Sequence, residues 1–297
     1  MDLSIVIVNW NVRDQLARLL NSILKFTSGL EYEVIIVDNQ SKDGSVNYLR
    51  EQFKTEINDK KLIIIDNQFN AGFAKGNNQG LKISQGKYVL FMNPDMELLE
   101  NSFLILKQFL DNNPAVGVCT CRLLNNDKTI QANVKNDPTL CSQIFVMLKI
   151  HHFFSWLPCL NKYFAKDFGY DERCEVKQIM GAFVFARREL LDTIHGWDED
   201  YWLWWEDVEF CIQTRRTGAQ IIFLPDTEVI HYESQSFAQQ TRALMKQRRF
   251  NRGLLTFFRK NHSRPAYLVL YCLQPISMIL TIITKLFKIK QRPQSRI

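Results

Sequence analysis

The stretch LSIVIV at residues 3–8 decides the fold class. It is short, apolar and mostly β-branched, which is typical of a strand buried on both faces of a parallel sheet. Residues 12–26 follow with leucines and an isoleucine at helical spacing. The sequence YEVIIV at residues 32–37 then repeats the buried-strand pattern. Strand, helix and strand in this order predict a parallel sheet with right-handed crossovers.

The same alternation continues for the next seventy residues or so. We predict helices at residues 45–53, 77–85 and 97–110, and strands at residues 62–65 and 87–92. The expected fold class is therefore α/β, with a doubly wound, mostly parallel sheet. In such sheets a ligand binds beyond the carboxyl ends of the strands.

The second half of the chain is less regular. Residues 125–174 are rich in aromatic side chains with weak periodicity, and we interpret them as an insertion or a mobile cover over the site. The elements predicted after it are strands at residues 176–185, 221–224 and 227–230 and helices at residues 188–193 and 206–217.

Charge and cysteine usage exclude few function classes. The formal net charge is +6, which fits ordinary solubility as well as attraction to phosphates or anionic lipid. We expect no nucleic-acid partner. Seven cysteines occur without repeated metal-ligand spacing, and residues 1–9 are too short and strand-like for a signal peptide. We therefore expect free thiols in a reducing cytoplasm.

Polar side chains follow three of the predicted strands. Asn9 follows the first strand, Asp38 the second, and the sequence Asn-Pro-Asp at residues 93–95 the fourth. Because the carboxyl ends of parallel strands share one edge, these groups predict a binding site there. No G-x-G-x-x-G follows the first strand, which argues against a dinucleotide-binding dehydrogenase. The residues that follow Asp38 are of types that favour turns, so the alternative is that Asp38 only shapes a turn.

An apolar run at residues 265–283 is the last distinctive feature. It is just long enough to span a bilayer, basic residues flank it, and Pro275 is expected to kink or break a helix. Three alternatives stay open: a spanning helix, a broken hairpin lying in the inner leaflet, and a helix packed on the rest of the domain. We expect an apolar helical tail that associates with the membrane.

Seven segments of the chain form an ordered set. They are SIVIVNWN (4–11), VDNQSKDGS (37–45), NQFNAGFAKGNNQG (67–80), FMNPD (91–95), GAFVFARREL (181–190), GWDEDYWLWWEDVEFCIQTRRTG (196–218) and IHYESQS (230–236). Together they resemble the family 2 glycosyltransferases with the GT-A fold, closest to the bacterial rhamnosyltransferase-like branch. The resemblance implies a GT-A domain at residues 1–240, with a nucleotide-binding part at about 1–120 and an acceptor part at about 121–240. Residues 241–297 would form the basic and apolar tail.

The resemblance assigns the nucleotide-sugar to the edge that carries Asn9 and Asp38, where a carboxylate can accept bonds from a base or a ribose. It also places the Gly- and Asn-rich stretch at residues 70–80 near the nucleotide, because glycines let the backbone approach a ligand closely. Gly72, Lys75 and Asn77 are the binding candidates in that stretch.

The sequence Asn-Pro-Asp at residues 93–95 resembles the D-x-D motif of the family, whose carboxylates hold a metal that bridges the donor phosphates. Hard oxygen ligands suit Mg²⁺ or Mn²⁺. Asn93 stands at the first acidic position, so it would contact ribose or phosphate and Asp95 would carry most of the metal binding. His231 stands where the family often supplies an imidazole to the same metal. The alternatives are a turn before a helix for Asp95 and a structural role for His231.

Glu206 and Asp207 open a predicted helix next to three tryptophans. The family match makes Asp207 the general base that takes the acceptor proton, with Glu206 orienting acceptor or base. Trp202, Trp204 and Trp205 would stack on acceptor sugars. The alternative is a pair of acids stabilised by the helix dipole.

The resemblance implies an inverting, metal-dependent transfer of a sugar from a nucleotide-sugar to an acceptor hydroxyl. The branch suggests rhamnose from a dTDP donor and a lipid-linked glycan acceptor in cell-surface polysaccharide synthesis. We expect the enzyme at the cytoplasmic face of the membrane, peripheral or single-pass through its tail. One alternative, motivated by Asn93, is a catalytically inactive nucleotide-sugar-binding protein. A sugar nucleotidyltransferase would need a basic glycine-rich loop after the first strand, which residues 9–14 do not provide.

Overall fold

The structure, a computed structural model, describes residues 1–232 and 243–286 of the 297-residue chain. The end of the motif at residues 230–236 and the basic residues at 288–296 lie outside the described residues.

Strands and helices alternate over the first 92 residues, as predicted. They are β1 (Leu3–Asn9), α1 (Arg13–Phe26), β2 (Tyr32–Asp38), α2 (Ser45–Gln52), α3 (Lys54–Asn58), β3 (Leu62–Asp66), α4 (Phe73–Ile83) and β4 (Tyr88–Met92). The four strands are parallel and lie in the order β3-β2-β1-β4. Their carboxyl ends therefore share one edge, the edge at which the sequence predicts a binding site.

The remaining elements complete a mixed sheet. They are β5 (Met96–Leu98), α5 (Ser102–Asn112), β6 (Val116–Leu124), β7 (Ile130–Gln131), β8 (Val134–Lys135), α6 (Leu140–Met147), α7 (Pro158–Tyr163), β9 (Cys174–Glu175), β10 (Gln178–Ile179), β11 (Phe183–Arg187), α8 (Arg188–Ile194), α9 (Glu206–Arg216), β12 (Gln220–His231), α10 (Ala243–Asn261) and α11 (Arg264–Leu286). The main sheet runs β3-β2-β1-β4-β11-β6-β12-β5, with β7 on β6 and β9 on β12, while β8 pairs with β10.

The α/β fold is confirmed, with two refinements. Strand β11 is antiparallel to β4 and β6, and β5 is antiparallel to β12, so the second half of the sheet is mixed. An apolar core covers each face of the sheet, one beneath α1 and α5 and the other beneath α4, α8 and α9. The sheet is thus doubly wound, because neither face could stay uncovered in water.

Two predicted element boundaries are wrong, and the observed elements bring candidate site residues together. The predicted helix at residues 97–110 begins only at Ser102, because Met96–Leu98 pairs with the end of β12. The two strands predicted at residues 221–224 and 227–230 are one strand, interrupted by a register shift between Leu224 and Glu228. The result is that Met96 lies opposite His231, which brings the Asn-Pro-Asp turn to the histidine.

Other predicted bounds in the chain also change. Helix α4 begins at Phe73 rather than at residue 77, and the strand predicted at residues 176–185 divides into β10 and β11. The region at residues 125–174 contains short strands and helices, and its α6 and α7 share a small core with Val146, Leu160 and Phe164. The predicted insertion is therefore folded onto the domain.

The last helix, α11, continues through Pro275, so the predicted break is absent. It packs against α10 and α6. Helix α10 in turn contributes Leu254 and Phe257 to a core that includes Trp205. The start of the predicted tail is therefore part of the folded body.

Candidate active site

At the end of β1 and β2, Asn9 and Asp38 form a buried pair. Asn9 is fully buried and its Nδ2 donates to Asp38 Oδ1 at 2.7 Å and to Ser41 Oγ at 3.1 Å. The other carboxylate oxygen of Asp38 accepts from the Ser41 backbone N–H at 2.8 Å. These bonds shape the loop after β2, and direct nucleotide contact by either side chain stays a proposal.

The Gly- and Asn-rich stretch joins the sheet edge to the tryptophan loop. Gly72 adopts a φ of +87°, and a Cβ at this position would lie 2.4 Å from the Trp202 carbonyl oxygen. The Phe73 N–H donates to that same oxygen at 2.8 Å. Lys75 is exposed, with its Nζ 5.9 Å from the Phe69 ring centroid, whereas Asn77 is buried and its Nδ2 donates to the Phe73 carbonyl inside α4.

Gly72→Ala should therefore destabilise the fold more than the substitution of another glycine of positive φ, because its φ of +87° and ψ of −178° are essentially restricted to glycine and the Trp202 carbonyl adds a clash. Gly218 has a φ of +85° with nothing within 4 Å of its would-be Cβ, so Gly218→Ala is the matched control. We expect the control to lower the free energy of unfolding by about 1–2 kcal/mol from the left-handed backbone. Gly72→Ala should cost at least ~3 kcal/mol, because a clash with backbone is added to the strain. Equal losses in denaturant unfolding would contradict the close contact with Trp202.

The turn after β4 brings Asn93 and Asp95 to His231, as the resemblance implied. Asp95 and His231 are both buried, and Asp95 Oδ1 lies 3.4 Å from His231 Nε2. Asn93 Nδ2 lies 3.3 Å from the same ring nitrogen. The Asp95 Oδ1 atom is buried and has no hydrogen-bond partner.

This arrangement fits a divalent cation. A buried carboxylate oxygen without a donor is costly in the absence of a positive charge. An oxygen and an imidazole nitrogen are ligands that Mg²⁺ and Mn²⁺ accept. Among residues 1–232 and 243–286 no group of three or more His, Cys, Asp or Glu side chains converges to hold a metal. Asp95 and His231 would therefore supply two ligands, and a bound diphosphate would supply others.

Glu206 and Asp207 begin α9 as predicted, but their environments differ. Glu206 is buried, its Oε2 has no hydrogen-bond partner, and burial raises its pKa well above the usual range. Asp207 is only partly buried, and its Oδ2 accepts from the Gly181 N–H at 3.3 Å. Burial also raises the pKa of Asp207, while the charge of Lys135 acts in the opposite direction. A carboxylate with a raised pKa suits a general base.

The tryptophan loop ahead of this pair is tightly held. Trp204 and Trp205 have φ values of 67° and 77°, a conformation that bulky residues rarely adopt. Trp205 is 3% exposed and packs on Phe257 of α10. It is therefore a core residue, and its ring is not available to stack on an acceptor sugar. Trp202 and Trp204 are partly exposed, and the guanidinium carbon of Arg249 lies 3.7 Å from the Trp202 ring centroid. Contact with an acceptor sugar stays a proposal for these two.

Backbone contacts connect the metal candidates to the carboxylate pair. The Asn93 N–H donates to the Ala182 carbonyl at 2.9 Å. Ala182 follows Gly181, whose own N–H donates to Asp207. One strand end therefore holds the Asn-Pro-Asp turn on one side and Asp207 on the other. The sequence-predicted groups of both kinds are therefore connected through Gly181 and Ala182.

Two residues of this site are absent from the sequence predictions. Gln131 contacts His231 from β7, and Lys135 on β8 influences Asp207 through its charge. Both lie in the aromatic-rich region at residues 125–174, where periodicity gives no register. Residues 125–137 are mostly polar, so a single amide or lysine there carries no signal that marks it for the site.

Comparison with known proteins gives a consistent result. The sequence model described as Glycosyl transferase family 2 matches residues 4–193. The O-antigen biosynthesis protein RfbC of Myxococcus xanthus is 30% identical over 236 residues, which are 78% of this chain and 17% of that protein. The rhamnosyltransferase WbbL of Escherichia coli K12 is 22% identical over 170 residues, 54% of this chain and 61% of that one. The chain spans a quarter or less of several of its curated relatives.

A solved structure supports the fold. A mannosyltransferase from Pyrobaculum calidifontis, in complex with GDP-Man and Mn²⁺, superposes with a TM-score of 0.58 at 16% identity. The match covers 99% of this chain and 77% of that one. At this identity the likeness concerns the fold alone.

Proposed function

The chain belongs to glycosyl transferase family 2, and from that premise we propose that it transfers a sugar from a nucleotide-sugar to an acceptor hydroxyl with inversion at the anomeric carbon. One observation carries the proposal beyond the family. Asp207 and the turn that carries Asp95 are held by adjacent residues before β11, since the Asn93 N–H donates to Ala182 and the Gly181 N–H donates to Asp207. This link supports a leaving-group site next to a base.

The reaction needs one base and one site for the leaving diphosphate. Asp207 accepts the proton of the acceptor hydroxyl as that oxygen attacks the anomeric carbon and the bond to the diphosphate breaks. Asp95 and His231 would hold Mg²⁺ or Mn²⁺, which supplies Lewis-acid stabilisation of the charge on the leaving group. Asn93 would contact donor ribose or phosphate. No second nucleophile is required for a single displacement.

Roles for the flanking residues follow from their exposure. Lys75 is free to approach the donor, and Gly72 lets the chain pass against Trp202. We assign Trp202 and Trp204 to the acceptor side, because they border Asp207 and are partly exposed. Asn9, Asp38 and Asn77 support the donor side from beneath, since all three are buried.

For the donor we propose rhamnose carried by dTDP, and for the acceptor a lipid-linked glycan of a cell-surface polysaccharide. The rhamnosyltransferase WbbL and the O-antigen biosynthesis protein RfbC support this choice by similarity. A screen of UDP-, GDP- and dTDP-sugars by thermal unfolding, with and without Mn²⁺, tests donor binding. We expect a metal-dependent rise in the unfolding temperature for dTDP-rhamnose. A rise with another donor alone would reject the rhamnose assignment and keep the transferase.

Membrane association is proposed from α11. Among the described residues, Arg264–Thr284 is the one stretch long and apolar enough to cross a membrane, with a mean hydropathy of 1.9. Its buried side, which includes Leu270, Ser277 and Thr281, faces α10 and α6. Its other side exposes large apolar side chains: Leu268, Val269, Tyr271, Ile276, Ile279, Ile282 and Ile283. A helix packed on the body with an apolar outer side favours attachment in the plane of the cytoplasmic leaflet over spanning.

Replacing three of these side chains, Ile276, Ile279 and Ile283, by Gln should release the protein from membranes. Burial of one such side chain is worth about 1.5–3 kcal/mol, so the loss should exceed ~100-fold in partition. Co-sedimentation with phosphatidylglycerol-containing vesicles measures it, and donor binding should persist. Ile83→Gln, at a site 40% exposed on α4, is the control. Wild-type protein that stays in the supernatant would contradict the membrane assignment.

A further inference from the structure

Gln131 is a fully buried amide that holds His231 at two points. Its Oε1 lies 2.6 Å from His231 Nδ1, and its Nε2 donates to the His231 carbonyl oxygen at 3.2 Å. The same Nε2 donates to Asn125 Oδ1 at 3.0 Å. The two strands that carry Gln131 and His231 do not pair with each other, since β6 lies between them.

These contacts fix which way the amide points. A backbone carbonyl only accepts hydrogen bonds, so the atom facing the His231 carbonyl must be the NH₂ group of Gln131. The amide oxygen then faces His231 Nδ1, and an oxygen cannot donate. The proton of the neutral ring therefore resides on Nδ1, and Nε2 presents a lone pair.

The lone pair on Nε2 points into the site. It faces Asp95 Oδ1 at 3.4 Å, an atom without a hydrogen-bond donor, and Asn93 Nδ2 at 3.3 Å. Two electron-rich atoms that face each other in a buried site are compatible when a cation lies between them. The other tautomer would point an N–H at the space where that cation belongs.

We propose that Gln131 is a positioning residue that fixes the Nδ1–H tautomer of His231, so that Nε2 is a metal ligand. The inference rests on the proposed metal-dependent function and concerns the same site. Partners of this kind, one hydrogen bond behind a ligating imidazole, typically contribute 10- to 100-fold to metal affinity. A purely structural Gln131 would hold β7 in place without any effect on the imidazole proton.

The test combines a spectroscopic and a binding measurement. The ¹⁵N chemical shifts of the imidazoles report the tautomer, and loss of one of the five histidine signals in His231→Gln assigns it. Mn²⁺ affinity is measured by electron paramagnetic resonance, with Mn²⁺ alone and with Mn²⁺ plus UDP or dTDP. The variants are Gln131→Met, which removes both hydrogen bonds, and Gln131→Glu, which keeps an acceptor for Nδ1–H. Gln143→Met alters another fully buried glutamine, on α6, as control.

We expect the Nδ1–H tautomer in the wild-type protein and a shift toward Nε2–H in Gln131→Met, with Mn²⁺ affinity lower by about 10- to 100-fold. Gln131→Glu should keep the tautomer and most of the affinity, and Gln143→Met should match wild type. An Nε2–H tautomer in the wild-type protein overturns the proposal even if Gln131→Met fails to fold. Equal Mn²⁺ affinity in wild type and Gln131→Met overturns the role of Gln131 but leaves the proposed metal site standing. Absence of Mn²⁺ binding to wild type rejects the metal site itself, and this inference with it.

Discussion

Asp207→Asn should lower sugar transfer by at least ~10²-fold while leaving donor binding intact. Asn has the same shape as Asp but cannot accept the acceptor proton, so the loss should appear in kcat. The Gly181 N–H can still donate to the remaining side-chain oxygen, so the fold should be kept. Rates of nucleoside diphosphate release with acceptor present, compared with donor binding by thermal unfolding, separate the two effects.

Glu206→Gln is the matched comparison, because it alters the adjacent carboxyl group. Burial raises the pKa of Glu206 well above its usual range and so favours its neutral form, to which a neutral amide is close in shape. We expect a loss of no more than about tenfold, well below the base-removal effect. A larger loss for Glu206→Gln than for Asp207→Asn would transfer the role of base to Glu206.

Asp95→Asn should have the second largest effect. It removes the charge of a carboxylate that has a buried, unpartnered oxygen facing His231. A metal that stabilises the leaving group by several kcal/mol would be held weakly, and kcat/KM should fall by about 10²- to 10³-fold. The dependence of the rate on Mn²⁺ concentration should shift to higher concentration.

The control for Asp95→Asn is Asp192→Asn, which removes the same charge at an exposed position on α8. It should keep the wild-type rate and the wild-type response to Mn²⁺. Full activity of the unaltered enzyme in excess chelator would reject the metal site. Asn93 would then be part of a metal-free diphosphate site.

Much of the fold follows from the sequence because its decisive strands are locally encoded. The runs at residues 3–8 and 32–37 are apolar except for Ser4 and Glu33, and the structure forms strands there within one residue of the predicted bounds. Met96–Leu98 could not be found this way. Its strand conformation comes from pairing with β12, more than a hundred residues later, whereas its local sequence also suits a helix. The bulge that joins both halves of β12 is likewise a tertiary feature.

The candidate site is predictable where a motif carries its residues. Asp95, Asp207 and His231 were identified by resemblance, and the structure brings them to one edge of the sheet. Gln131 was not, because its contact with His231 spans a hundred residues and its own segment has no periodic pattern. Trp205 illustrates the reverse error. An aromatic next to a carboxylate pair suggests sugar stacking, yet three-dimensional packing buries it against α10.

The measurement that bears most directly on the proposed function is a transfer assay with product analysis. Wild-type protein, Mn²⁺ and a panel of UDP-, GDP- and dTDP-sugars are incubated with a lipid-linked glycan acceptor, and the product anomer is determined by NMR. We expect one donor to yield nucleoside diphosphate and a glycoside of inverted anomeric configuration. The Asp207→Asn variant should form both products far more slowly than the wild-type protein. Metal-dependent donor binding without turnover would instead identify an inactive nucleotide-sugar-binding protein. A product with retained configuration, or undiminished transfer by Asp207→Asn, would contradict the single displacement with Asp207 as base.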